Sequence, residues 1–102
     1  RAEGLEAFSR ALEASPDHPD ALFNRAKLEL LIGKPADARR DLNHLLAAHG
    51  DYSAARFLEA HVCVAENDTD GAKTALHTYL ALPNLDPKMK AAAVDMLQKL
   101  GG

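Results

Sequence analysis

The chain has 102 residues, a formal net charge of −3, and 12 Lys plus Arg against 15 Asp plus Glu. That balance excludes the basic footprint nucleic-acid binding needs, and the length fits one domain with one modest core. One cysteine, Cys63, rules out an internal disulfide, and no apolar run reaches the roughly 18 residues that a membrane-spanning helix needs.

Ala2 to Ala14 reads as a helix, with Leu5, Phe8, Ala11 and Leu12 on one stripe at helical spacing. Ser15-Pro16-Asp17-His18-Pro19 stops it, because two prolines cannot continue a helix. Asp17 or His18 is the candidate cap for a second helix over Pro19 to Ile32, carrying Leu22, Ala26, Leu30 and Leu31 and ending at Gly33. Pro35 opens a third helix, to about His49, with Ala38, Leu42, Leu45 and Leu46 on its apolar stripe. A fourth, from Tyr52 to Glu66, is expected to turn Phe57, Ala60, Cys63 and Val64 inward. Asp68 or Thr69 caps a fifth, to about Leu82, whose stripe is Ala72, Ala75, Leu76, Tyr79 and Leu80. Asp86 and Pro87 open a sixth, to about Leu100, with Met89, Ala93, Met96, Leu97 and Leu100 apolar.

The stretch from Pro19 to Leu46 recurs 34 residues later. Ala21 matches Ala55, Phe23 matches Phe57, Ala26 matches Ala60, Ala38 matches Ala72, Leu42 matches Leu76 and Leu46 matches Leu80. A fixed period of this length is the signature of stacked helical hairpins, so the fold class expected is an all-α solenoid of six helices. Pro19, Ser53 and Pro87 fall at the same repeat position, and so do Phe8, Leu42 and Leu76. The chain therefore divides into a second helix of a partial repeat (1–18), two full repeats (19–52 and 53–86) and a C-terminal capping helix (87–102).

These features resemble the tetratricopeptide repeat family, whose pattern is W-x2-L-G-x2-Y, then A-x3-F, then P. Gly4-x3-Phe8, Ala38-x3-Leu42 and Ala72-x3-Leu76 match its second-helix half, with Pro16 at the closing proline. The first-helix half departs. Leu22 and Arg56 hold the Trp position, Arg25 and Glu59 the Leu position, Ala26 and Ala60 the Gly position, and Glu29 and Cys63 the Tyr position. Asn24-Arg25-Ala26 with Asp41-Leu42-Asn43 resembles a frequent variant of the repeat, which implies an Arg25–Asp41 pair between the two helices of a hairpin.

The resemblance implies a right-handed superhelix whose first helices line a concave groove for a peptide or helix. Carried over by position, the groove residues are Asp20, Phe23, Asn24, Lys27, Leu30 and Leu31, then Ala54, Phe57, Leu58, His61, Val64 and Ala65, with Lys88, Ala91, Ala92 and Asp95 from the last helix. Phe23 and Phe57 share a repeat position and form an apolar ladder with Leu58, suited to an apolar or amphipathic segment. The other reading is that both pack on neighbouring helices. The clamp with which some family members hold a chaperone's terminal carboxylate is missing, since Phe and Lys27 or His61 replace its Lys and Asn.

The remaining chemistry is sparse. None of His18, His44, His49, His61 and His77 pairs with another at the spacing that puts two metal ligands on one helix face, so no metal is expected and solvated surface histidines are. Glu66 to Gly71 resembles a calcium loop only faintly, since its twelfth position is His77 rather than a bidentate Glu. Cys63 and His61 point about 200° apart on one helix, so the thiol reads as a small buried hydrophobe. Neither an enzyme nor a cofactor is expected. The function expected is a protein-binding scaffold, with a self-association or spacer module, or the docking segment of a larger enzyme or assembly, as alternatives. A soluble chain is expected, cytoplasm and periplasm both suiting it. The flank at Leu5, Phe8 and Leu12 is expected to be only partly covered, which points to further repeats before Arg1 or to a second copy.

Overall fold

The computed structural model describes residues 2–102, with side chains from residue 4 onward. Arg1 lies outside the described residues. Six helices and no strand make up the described chain: α1 (Ala2–Ala14), α2 (Pro19–Leu31), α3 (Pro35–Ala48), α4 (Ser53–Ala65), α5 (Thr69–Leu80) and α6 (Pro87–Lys99). Each helix packs on the next in the chain, and α2 also touches α4. Contacts limited to neighbours in a stack define a solenoid.

The helix starts follow the chemistry of their caps. His18 Nδ1 accepts from the Ala21 amide at 3.2 Å, ahead of the Pro19 that opens α2. Asp68 accepts from the Gly71 amide at 2.9 Å, and Asp86 from the Lys88 amide at 3.2 Å. Each bond satisfies a donor that the first turn would leave orphaned.

The helix ends carry the repeat as well. Gly33, Asn67 and Gly101 all have positive φ, at 82°, 61° and 88°. The amide after each donates back to Glu29, Cys63 and Leu97, at 2.8, 2.8 and 3.0 Å. This is the left-handed stop that glycine or asparagine tolerates, and it ends α6 as it ends α2 and α4.

Small residues set the packing distance. Ala26, Ala38, Ala55, Ala60, Ala72 and Ala93 are fully buried, so the helix backbones come close. One core cluster joins Leu12, Leu22, Leu42, Leu45, Leu58 and Val62 across α1 to α4. A second joins Ala60, Ala75, Leu76, Tyr79 and Ala93 across α4 to α6. Burying a Leu or Val fully is worth roughly 1.5–3 kcal/mol.

Three side chains depart from expectation. Leu12 is buried, because the start of α2 covers it, while Leu5 and Phe8 are half-covered. Leu31 stands 79% exposed at the last residue of α2, because Glu29 and Leu30 take the covered side of its last turn. Val64 is 43% exposed rather than turned inward, because its neighbours Val62 and Cys63 take the buried face of α4.

Candidate functional site

Side chains from α2, α4 and α6 enclose an open cavity of about 210 Å³, lined by Phe23, Lys27, Ala54, Phe57, Leu58, His61 and Met89. The repeat places it: α2, α4 and α6 occupy equivalent positions in the stack, so their facing residues converge on one side. Phe57 lies nearly parallel to Tyr79 of α5, at 5.5 Å between centroids, and meets the His61 ring edge-on at 4.8 Å. Phe23 is tilted against Tyr52 at 5.3 Å, and Lys27 Nζ sits 5.4 Å from the Phe23 centroid. The geometry suits a cation–π contact. Each phenylalanine is thus half-buried in packing and also presents a face to the cavity, so the two readings of the sequence coexist.

The structure brings together six of the residues carried over from the repeat pattern: Phe23, Lys27, Ala54, Phe57, Leu58 and His61. Leu58 is only 5% exposed and forms the floor. Asp20, Asn24, Leu31 and Ala65 stand outside the lining. Asp20 instead accepts from the Tyr52 hydroxyl at 2.9 Å. Leu30, Val64, Lys88, Ala91, Ala92 and Asp95 do not line it either, and α6 contributes Met89 in their place. Met89 was legible only as part of the apolar stripe of α6.

Two polar clusters sit away from the cavity. Arg25 forks onto Asp41, with Nε and Nη2 each 2.6 Å from a carboxylate oxygen, and its Nη1 donates to Ser9 of α1 at 3.2 Å. The expected pair is present, and it ties α1, α2 and α3 together. Burial works to raise the Asp41 pKa, but the bonds from Arg25 prevail and hold it low. Glu29 lies 3.9 Å from Arg25 and is buried, with Oε1 lacking a partner. Burial first, then the neighbouring Asp41, pushes its pKa up to about 8.

In the second cluster Arg39 of α3 reaches α4, bonding Glu66 at 2.8 Å and Cys63 Sγ at 3.2 Å. Cys63 is 4% exposed, and burial outweighs Arg39 to raise its thiol pKa. A raised thiol is the inert form.

Four of the five histidines are exposed, as expected, but two make long-range contacts that were not. His44 Nε2 lies 2.6 Å from Asp17, and His49 Nε2 lies 2.7 Å from the Asp17 carbonyl. Together with His18 they fasten the turn between α1 and α2, a long-range role that leaves no pattern along one helix. His61 is the histidine at the cavity, and desolvation lowers its pKa. Among the described residues no group of three or more His, Cys, Asp or Glu is placed to hold a metal ion. No described helix is long and apolar enough to cross a membrane.

Comparison with known proteins agrees with this geometry. The mouse protein "DnaJ homolog subfamily C member 3" is 32% identical over 72 residues, covering 71% of this chain and 14% of that protein. The human protein of the same name is 31% identical over the same length and coverage. "Tetratricopeptide repeat protein 36" of Caenorhabditis elegans is 44% identical over 48 residues, 47% of this chain and 27% of that protein. The chain spans only 14% of the length of the two DnaJ relatives. No solved structure matches. A family model described as Tetratricopeptide repeat matches residues 32–94, more than half of the chain, and another of the same description matches residues 7–40. With the period, the caps and the neighbour-only packing already in view, the chain belongs to the tetratricopeptide repeat family.

Proposed function

We propose that this chain is a non-enzymatic interaction module that holds a peptide or helix of a protein partner against α2, α4 and α6. Tetratricopeptide repeats generally mediate protein–protein interaction. The observation that carries the finer reading is the cavity, where two phenylalanines from successive repeats, with Met89, leave apolar surface open beside Lys27 and His61. Its volume is below the roughly 300–1,000 Å³ usual for small-molecule sites, so it suits a side chain of a longer ligand. The shielded Cys63 thiol favours binding over catalysis. The division at 18, 52 and 86 is supported by the left-handed stops of α2, α4 and α6.

The test is affinity capture from native lysate with wild type and with Phe23→Ala/Phe57→Ala. Circular dichroism checks the fold, and Lys27→Ala/His61→Ala serves as a second pair at exposed positions. A partner held by wild type and lost by both pairs is the expected result. The same partner retained by both folded variants would move the function elsewhere on the molecule.

Self-association is the second reading. Leu31, 79% exposed, and the half-covered Leu5 and Phe8 favour it. Sedimentation of a monomer across a wide concentration range would remove it.

A further inference from the structure

The cavity is apolar except for two groups, and both are basic in kind. Lys27 is exposed at its rim, and His61 stands against Phe57. No Asp or Glu is among the lining residues. No carboxylate of the described residues comes within 4.0 Å of Lys27 Nζ, whereas Arg10, Arg25, Arg39, Arg40 and Arg56 are each paired with one. Asp20, the nearest acid on α2's opening turn, is occupied by the Tyr52 hydroxyl. In a chain of net charge −3, the cavity therefore offers an unpaired cation at the edge of an apolar hollow. Desolvation lowers the His61 pKa and so disfavours its charged form, and Lys27 is the cation a ligand meets. Its Nζ stands over the Phe23 ring, 5.4 Å from the centroid, a contact that holds the ammonium at the rim.

We propose that the groove selects a partner segment carrying a bulky apolar side chain flanked by Asp or Glu. The apolar side chain fills the hollow between Phe23, Phe57 and Met89, and the carboxylate pairs with Lys27. This inference rests on the groove reading above and adds the chemistry of the ligand. A basic segment would set like charge against Lys27 and is rejected, since complementary charge chiefly supplies specificity and on-rate.

A displayed library of random 12-residue peptides, selected on the folded wild-type chain and counter-screened on Phe57→Ala, tests this. Chosen clones are then measured against Lys27→Met, which keeps an unbranched side chain beside Phe23 and removes the charge. The expected result is Phe57-dependent clones enriched in acid beside Leu, Ile, Phe or Met. Their affinity should fall roughly two- to fivefold with Lys27→Met, the range of an exposed ion pair, and weaken with salt. Phe57-dependent clones without such acid, indifferent to Lys27→Met, would overturn the proposal and leave the groove reading standing. A selection yielding no Phe57-dependent clone would overturn both.

Discussion

The two complete hairpins share a backbone and differ in what fills it. Where α2–α3 carries Arg25, Glu29 and Asp41, α4–α5 carries Glu59, Cys63 and Ala75, each 34 residues on. The first hairpin closes over a guanidinium–carboxylate fork with a protonatable Glu29 beside it. The second closes over Ala75, Leu76 and Tyr79. The fork reaches a third helix, α1, by a hydrogen bond to Ser9, while the second hairpin's apolar cluster reaches α6 through Ala93. A repeat position thus dictates burial, while its filling can be apolar or polar, the polar choice here leaving only Glu29 Oε1 without a partner among the described residues.

The largest effects should come from the apolar hairpin. Tyr79 is 1% exposed and stacks on Phe57, so Tyr79→Ala should cost roughly 3–5 kcal/mol in urea denaturation. Because small domains have only about 5–15 kcal/mol in total, this variant stands near the limit of folding. A cost below about 1 kcal/mol would show that the second hairpin does not depend on this ring.

The fork comes next. Asp41→Ala leaves Arg25 facing a buried gap and should cost roughly 3 kcal/mol, the lower end for a buried pair because Arg25 is 25% exposed. Arg25→Met/Asp41→Leu, which brings the first hairpin closer to the second, should be far milder than either single change. A double-mutant cycle reads the coupling directly. Zero coupling would mean that the fork is decoration on an already sufficient core.

Glu29 sharpens the contrast with Cys63 at the same repeat position. Its folded pKa is raised to about 8 from the ordinary 4.5. Between those values the folded chain holds a proton that the unfolded chain releases, so stability is full below about 4.5 and falls as pH rises toward 8. The loss is on the order of 2 kcal/mol, discounted for partial exposure. Glu29→Gln should flatten that slope, as seen in melting curves at pH 5 and pH 8. An unchanged slope would assign the pH dependence to other groups.

How much of this was legible in the sequence follows from range. The cap at Asp86 and the stop at Gly33 are decided within a few residues, so local chemistry revealed them, and it narrowed two other caps to Asp17 or His18 and Asp68 or Thr69, of which His18 and Asp68 make the bonds. The Arg25–Asp41 fork was legible because the repeat variant carries it as a unit. Met89 in the cavity, His44 and His49 on Asp17, and the exposure of Leu31 and Val64 were not. Each depends on where one edge of a helix points relative to another hairpin, and a rotation too small to alter the apolar periodicity decides it.

The smallest effect separates the two aromatic pairs. Phe57–Tyr79 is buried ring on ring, whereas Phe23–Tyr52 keeps its phenol near the surface, bonded to Asp20. Tyr52→Phe preserves the ring contact and removes one hydrogen bond to an exposed carboxylate, so it should cost about 0.5 kcal/mol. The chain has two tyrosines and no tryptophan, so ultraviolet titration reads them alone. Burial first, then Asp20, raises the Tyr52 pKa to about 12, and burial raises that of Tyr79. Phenols whose folded pKa lies above the unfolded value of about 10 contribute stability that is present below 10 and lost as pH rises toward 12. The folded chain should therefore show little phenolate at pH 10, and Tyr52→Phe should remove one of two delayed ionisations. If instead one tyrosine of the wild type titrates near 10 and vanishes in Tyr52→Phe, the Asp20 bond is open in solution and the first pair is held by its rings alone.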